Sequence, residues 1–203
     1  MKLKVCGMRE QGNIEGLMAL RPDYMGLIFF AKSPRNVDES LDAAWVKAQA
    51  MEKVGVFVNA DLGTIEGKIR DYGLNLAQLH GKESPEFCAA VRNLGVQVIK
   101  VFSVGQAFDF AQLTAYETVV DFFLFDTKGK APGGNGVVFN WELLEAYPSK
   151  VPFFLSGGIN PDNVAQIEAH RFPQLHAIDV NSGFEIRPGY KDLTLLQSLT
   201  ENL

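Results

Sequence analysis

Residues 119–136 read VVDFFLFDTKGKAPGGNG. An apolar run ends on Asp126 and gives way at once to a stretch of glycines around one proline. A buried strand that finishes on a carboxyl group and hands over to such a loop marks a site rather than packing. The fold follows from asking how often this arrangement recurs.

Short apolar runs alternate with amphipathic stretches along the whole chain. The runs predict strands at 3–5, 24–30, 53–58, 75–79, 97–102, 121–126, 151–155 and 176–180. Between them, NIEGLMAL, SLDAAWVKAQA, LGTIEGKIRDY, SPEFCAAVRNL, AFDFAQLTAYE, WELLEAY, NPDNVAQIEAH and KDLTLLQSLTENL carry apolar residues at helical spacing. Ser84-Pro85 and Asn160-Pro161 read as helix starts, since proline suits the first helical turn. Strand–helix units repeated eight times without a linker predict an α/β chain of the (β/α)8 TIM barrel type, one domain over residues 1–203. An open doubly wound sheet is the alternative, and it rarely needs so many evenly spaced strands.

The totals agree with a globular enzyme-sized chain. Of 203 residues 47% are hydrophobic and 21% charged, and the net charge is −5, which gives no electrostatic case for nucleic acid or an anionic membrane. Two cysteines, Cys6 and Cys88, are too few for a disulfide framework. The N-terminal MKLKVCGMRE lacks the apolar core of a signal peptide, and no run is long enough to span a bilayer. A cytoplasmic setting is expected. His80, His170 and His176 lack paired metal-ligand spacing, so no metal is expected. Whether the chain is a monomer or homodimer stays open.

Barrels place reactive groups at the C-terminal ends of strands. There this chain carries Cys6-Gly7, then the loop Lys32-Ser33-Pro34-Arg35, then Gln78, His80 and Gly81. Asp126, Ser156-Gly157-Gly158, and Asp179 with Asn181-Ser182-Gly183 complete that rim. The opposite turns (RPD, YG, LG, RFPQ) hold punctuation and surface charge. Glycine loops after two neighbouring strands, the seventh and eighth, suit a phosphate, because backbone N–H groups can approach it closely. Either loop alone would be read as a tight turn.

The loop at 129–136 fits neither common nucleotide motif. Gly129-x4-Gly134 is followed by Asn135-Gly136 instead of Lys-Ser/Thr, and Gly134-x-Gly136 is followed by Phe139 where a glycine belongs. A cover that closes over the site fits better. Asp126 can be a turn cap, but apolar surroundings raise a carboxyl pKa, and a protonated aspartate can act as a general acid. Cys6 can be a small buried hydrophobe or, beside Gly7 on the same face, a thiolate base. Arg35 is either a solvated charge or a bidentate partner for a substrate carboxylate. His80 contacts ligand or holds its loop. Cys88, inside a helix, reads as packing.

Taken in order, KVCG (4–7), SPRNV (33–37), VGVFVN (54–59), QLHG (78–81), FDTK…GGNG…FNW (125–141), SGGINPDNV (156–164) and DVNSGFEIRPGYKD (179–192) resemble the phosphoribosylanthranilate isomerase family. The resemblance runs from Lys4 to Asp192. It implies a cofactor-free Amadori rearrangement of a phosphorylated small-molecule substrate, N-(5-phosphoribosyl)anthranilate, in tryptophan biosynthesis. It further implies Asp126 as general acid, Cys6 as general base and Arg35 as the carboxylate clamp, with His80 against the substrate and Asp179 near the sugar. Gly157, Gly158, Asn181, Ser182 and Gly183 fall on the phosphate loops. Asn181 stands where the family more often has serine, and Asn135 where threonine or serine is common. Two other readings compete. A relative of indole-glycerol-phosphate synthase would need strand-end lysines and an extension before the first strand. A non-catalytic phosphometabolite-binding barrel would have no use for both Cys6 and Asp126.

Overall fold

A computed structural model describes residues 1–38, 40–127, 140–170 and 172–203. Eight parallel strands close into a barrel in sequence order: β1 (Lys2–Cys6), β2 (Tyr24–Phe29), β3 (Glu52–Phe57), β4 (Leu76–Leu79), β5 (Gln97–Val104), β6 (Phe122–Thr127), β7 (Phe153–Leu155) and β8 (Leu175–Val180). Closure is made by β1 against β8, with Lys2 opposite Ala177 and Lys4 opposite Asp179. Each of the sequence-predicted strands is present within a few residues of its expected bounds.

Alternation along the strands sorts every side chain to one of two environments. On β6, Phe122 and Leu124 point into the barrel and join Tyr24, Val54, Leu76, Ile99, Val101, Phe154 and Ala177 in its interior. Phe123 and Phe125 point outward into the layer under the helices. Phe125 packs edge-on to Tyr147 and Phe153, at ring-centroid separations of 5.5 and 5.3 Å. The run is apolar throughout because a parallel strand is covered on both faces. Asp126 continues the inward column of Phe122 and Leu124, so its carboxyl emerges at the top of the barrel axis.

The outer layer holds α1 (Gln11–Ala19), α2 (Ala43–Lys47), α3 (Leu62–Tyr72), α4 (Pro85–Arg92), α5 (Val164–Ala169) and α6 (Leu193–Glu201). Caps are chemical: Asp61 accepts from Thr64 N, Ser84 accepts from Phe87 N ahead of Pro85, and Asp192 accepts from Thr194 and Leu195 N. Three expectations need correcting. AFDFAQLTAYE forms only a 3-10 turn at Phe110–Leu113, and WELLEAY a 3-10 turn at Trp141–Ala146. Three aromatic residues interrupt the first stretch, and Phe108 and Phe110 are spent packing against Phe125. The second stops against Pro148. Asn160-Pro161 does not start α5, which begins at Val164. Instead Asn160 Oδ1 accepts from Asp162 N, and the amides of Asn160 and Asn163 both donate to the Gly158 carbonyl. That turn shapes the loop after β7.

A short antiparallel hairpin, β9 (Glu185–Arg187) and β10 (Tyr190–Lys191), follows β8. The helical and strand patterns of the sequence do not anticipate it, and it brings Glu185 and Lys191 to the rim.

Candidate active site

Inward-pointing residues at the C-terminal strand ends surround one cavity. Cys6 (β1), Asp126 (β6) and Asp179 (β8) line it, with Arg35 and His80 from the loops after β2 and β4. Gly157, Gly158, Asn181 and Ser182 line it from the loops after β7 and β8. Gly183 is set back, its Cα facing the Ile159 carbonyl and Asn160. Residues 128–139, which carry the expected covering loop, lie outside the described residues.

Cys6 owes its place to the neighbouring strand. Its register partner on β2 is Gly26, where any Cβ would fall 2.8 Å from Cys6 Sγ and 2.9 Å from its Cα. A larger residue at 26 would displace the thiol. Gly157 has φ +89°, and a Cβ there would meet Thr127 Oγ1 at 2.3 Å and Thr127 N at 2.4 Å. Only glycine lets the β7 loop approach the end of β6 so closely.

Two charge clusters frame the thiol. Beneath it, Lys4 Nζ donates to Asp179 Oδ1 at 2.8 Å, and Lys4 is fully buried. Lys4 lies two residues before Cys6 on the same inward column, which puts its ammonium beside the thiol. Burial works against the Lys4 charge, but Asp179 and Cys6 together hold its pKa above the ordinary lysine value. Burial pushes the Cys6 thiol up, against the pull of the Lys4 cation. Thr127 N donates to Asp126 Oδ1 at 2.9 Å, while Asp126 Oδ2 stands 3.5 Å from His80 Nε2.

On the rim, Arg35 Nε and Nη2 reach Glu185 at 2.9 and 2.7 Å, a side-on fork. Glu185 also accepts from Lys191 Nζ at 2.6 Å, and the same ammonium donates to Asn181 Oδ1 at 2.7 Å. Hydrogen bonding to Glu185 raises the Arg35 pKa. Burial brings Lys191 down to about 8 despite Glu185. Two cations thus share one carboxylate. Among the described residues, the end-on Nη1–Nη2 edge of Arg35 has no other partner, so it is available to a ligand carboxylate.

Sequence reasoning singled out Arg35, Cys6 and Asp126 but gave no part to Lys4, Glu185 or Lys191. Lys4 was within reach of the strand alternation, two positions before Cys6. Glu185 and Lys191 depend on the hairpin.

The arrangement can hold an anion on the β7 and β8 loops and a carboxylate at Arg35, with one proton donor and one acceptor between them. Comparison with known proteins identifies the family. Residues 3–202 match the family described as N-(5'phosphoribosyl)anthranilate (PRA) isomerase. The chain is 42% identical to N-(5'-phosphoribosyl)anthranilate isomerase of Parabacteroides distasonis, over 100% of this chain and 93% of that one. It is 43% identical to that of Phocaeicola vulgatus, over 95% and 92%. Among solved structures it is similar to phosphoribosyl anthranilate isomerase from Thermotoga maritima (TM-score 0.87, 30% identity, covering 100% of this chain and 98% of that one). It is also similar to a phosphoribosyl anthranilate isomerase in complex with reduced 1-(o-carboxyphenylamino)-1-deoxyribulose 5-phosphate (TM-score 0.84, 29% identity, covering 100% and 97%).

Proposed function

The chain belongs to the N-(5'-phosphoribosyl)anthranilate isomerase family, and on that premise we propose how its residues divide the work. The reaction is the rearrangement of N-(5'-phosphoribosyl)anthranilate to 1-(o-carboxyphenylamino)-1-deoxyribulose 5-phosphate in tryptophan biosynthesis. The observation that carries the assignment of roles is that Cys6 and Asp126, from strands three apart around the barrel, line the same cavity.

Asp126, as the protonated acid, gives its proton to the ribose ring oxygen. The C1–O bond breaks, the electron pair leaves with the oxygen as a hydroxyl, and the anilino nitrogen stabilises C1 as an iminium. The Cys6 thiolate then removes the proton from C2, and that electron pair forms the C1–C2 double bond as the iminium π electrons return to nitrogen. The enolamine tautomerises to the ketone, with C1 gaining a proton and the C2 hydroxyl losing one. Proton exchange with solvent returns Asp126 and Cys6 to their starting states. Lys4 sets a positive charge beside the sulfur, which offsets part of the cost of a buried thiolate. Asp179 neutralises Lys4 and faces the sugar.

Arg35 takes the anthranilate carboxylate on its open edge, and His80 fixes the position of Asp126 and the ring above it. Gly157, Gly158, Asn181 and Ser182 hold the phosphate chiefly through backbone N–H groups, and Gly183 keeps the two loops in close contact. On this view Asn181 in place of serine changes little, since its side-chain oxygen is already engaged by Lys191. A phosphorylated substrate does not cross membranes unaided, which supports a cytoplasmic setting.

The test is loss of the anthranilate-ribose fluorescence on adding purified protein. Turnover is expected; binding of product analogues with no turnover would leave only a binding barrel. The clamp gives a separate expected outcome. Glu185→Gln releases the side-on fork from Arg35, so KM should rise roughly 10- to 100-fold, the equivalent of one charged hydrogen bond. The single-turnover rate at saturation should fall much less. An unchanged KM would remove Glu185 from that role.

A further inference from the structure

Among the described residues, Gln78 is an inward residue at the site whose side-chain oxygen the fold leaves without a partner. It follows Leu76 on the inward column of β4, and its register partners are Val56 on β3 and Ile99 on β5. It is 2% exposed, its Oε1 has no hydrogen-bond partner, and its amide makes no hydrogen bond among the described residues. A buried, unpaired carbonyl oxygen is costly, and leucine or methionine would fill the same column without that cost. The side chain lines the cavity shared by Cys6, His80 and Asp126.

The chemistry of the amide narrows what it meets. A carboxylate or a phosphate dianion only accepts hydrogen bonds and leaves Oε1 unsatisfied, and both already have their own partners on the rim. A hydroxyl donates to Oε1 and accepts from Nε2. Building on the roles assigned above, we propose that Gln78 is a specificity-determining residue that binds a hydroxyl of the sugar chain, between the phosphate and the anthranilate ends. A site built around a hydroxyl discriminates against a ligand lacking it, because the buried amide is then left unpaired.

The experiment measures binding of two ligands to wild type and to Gln78→Leu. One is reduced 1-(o-carboxyphenylamino)-1-deoxyribulose 5-phosphate; the other is N-(5-phosphopentyl)anthranilate, which keeps both charged ends and lacks the hydroxyls. Wild type should strongly prefer the first. In Gln78→Leu the preference should shrink by about 10- to 100-fold, mostly through weaker binding of the hydroxylated ligand. The melting temperature should stay equal to or above that of wild type, since an unpaired buried carbonyl oxygen has gone. Gln78→Met repeats the test should the leucine variant fail to fold. Equal wild-type affinity for the two ligands, or a preference unchanged in the variants, overturns the proposal. Wild type that binds neither ligand and shows no turnover overturns the functional assignment itself, which is a different failure.

Discussion

Asp126→Asn is expected to lower the single-turnover rate by roughly 10²- to 10⁴-fold, the range supplied by a positioned general acid, with KM changed only a few-fold. The substitution is nearly isosteric. Its Oδ1 can still accept from Thr127 N, as the carboxylate does at 2.9 Å, so the end of β6 keeps its shape. What disappears is the transferable proton, and the ring C–O bond must then break to give an unprotonated alkoxide. An interaction made only in the transition state lowers the rate without weakening ground-state binding, which separates this loss from a misfolded site. Rapid mixing at saturating substrate checks it. A variant within tenfold of wild type would remove Asp126 from the acid role.

Cys6→Ala should cost a comparable factor for the complementary reason, the loss of the base at C2. Its pH dependence carries further information. Burial holds the thiol above its ordinary value, with Lys4 pulling only part of the way back. The thiolate fraction at neutral pH is therefore small and grows as pH rises toward that raised pKa. With the acid removed in Asp126→Asn, only the state of the thiol counts: the residual rate should climb with pH through neutral and into mildly alkaline solution, and this limb should be missing once Cys6→Ala is added. Removing Lys4 as well as its charge, in Lys4→Met, strands Asp179 in the interior, so the cysteine variants are the cleaner probe. A profile of Asp126→Asn flat across this range under single-turnover conditions would argue against a titrating thiol.

Much of this architecture is legible in the sequence because the barrel's rule is local. Each strand announces itself by an apolar run, and the residue that ends the run on the inward column points at the axis. Cys6, Asp126 and Asp179 could be placed that way without knowing which strands touch. Closure of β1 on β8 was needed to see that Lys4 and Asp179 sit opposite each other. Gln78 was visible at a strand end, but its isolation became evident only once Val56 and Ile99 were found on either side. Helical periodicity overstated the stretches at 107–117 and 141–147, where aromatic packing and Pro148 win over helix formation. Glu185 and Lys191 lay in a recognised motif, yet their pairing with Arg35 depends on a hairpin too short to leave a pattern.

The most direct measurement is a crystal structure with reduced 1-(o-carboxyphenylamino)-1-deoxyribulose 5-phosphate bound. The sulfur of Cys6 should lie about 3–3.5 Å from C2, with the Asp126 carboxyl within about 2.6–3.2 Å of the oxygen released from the opened ring. The phosphate should rest on the loops after β7 and β8. A ligand seated so that either side chain faces away from those two atoms contradicts the account.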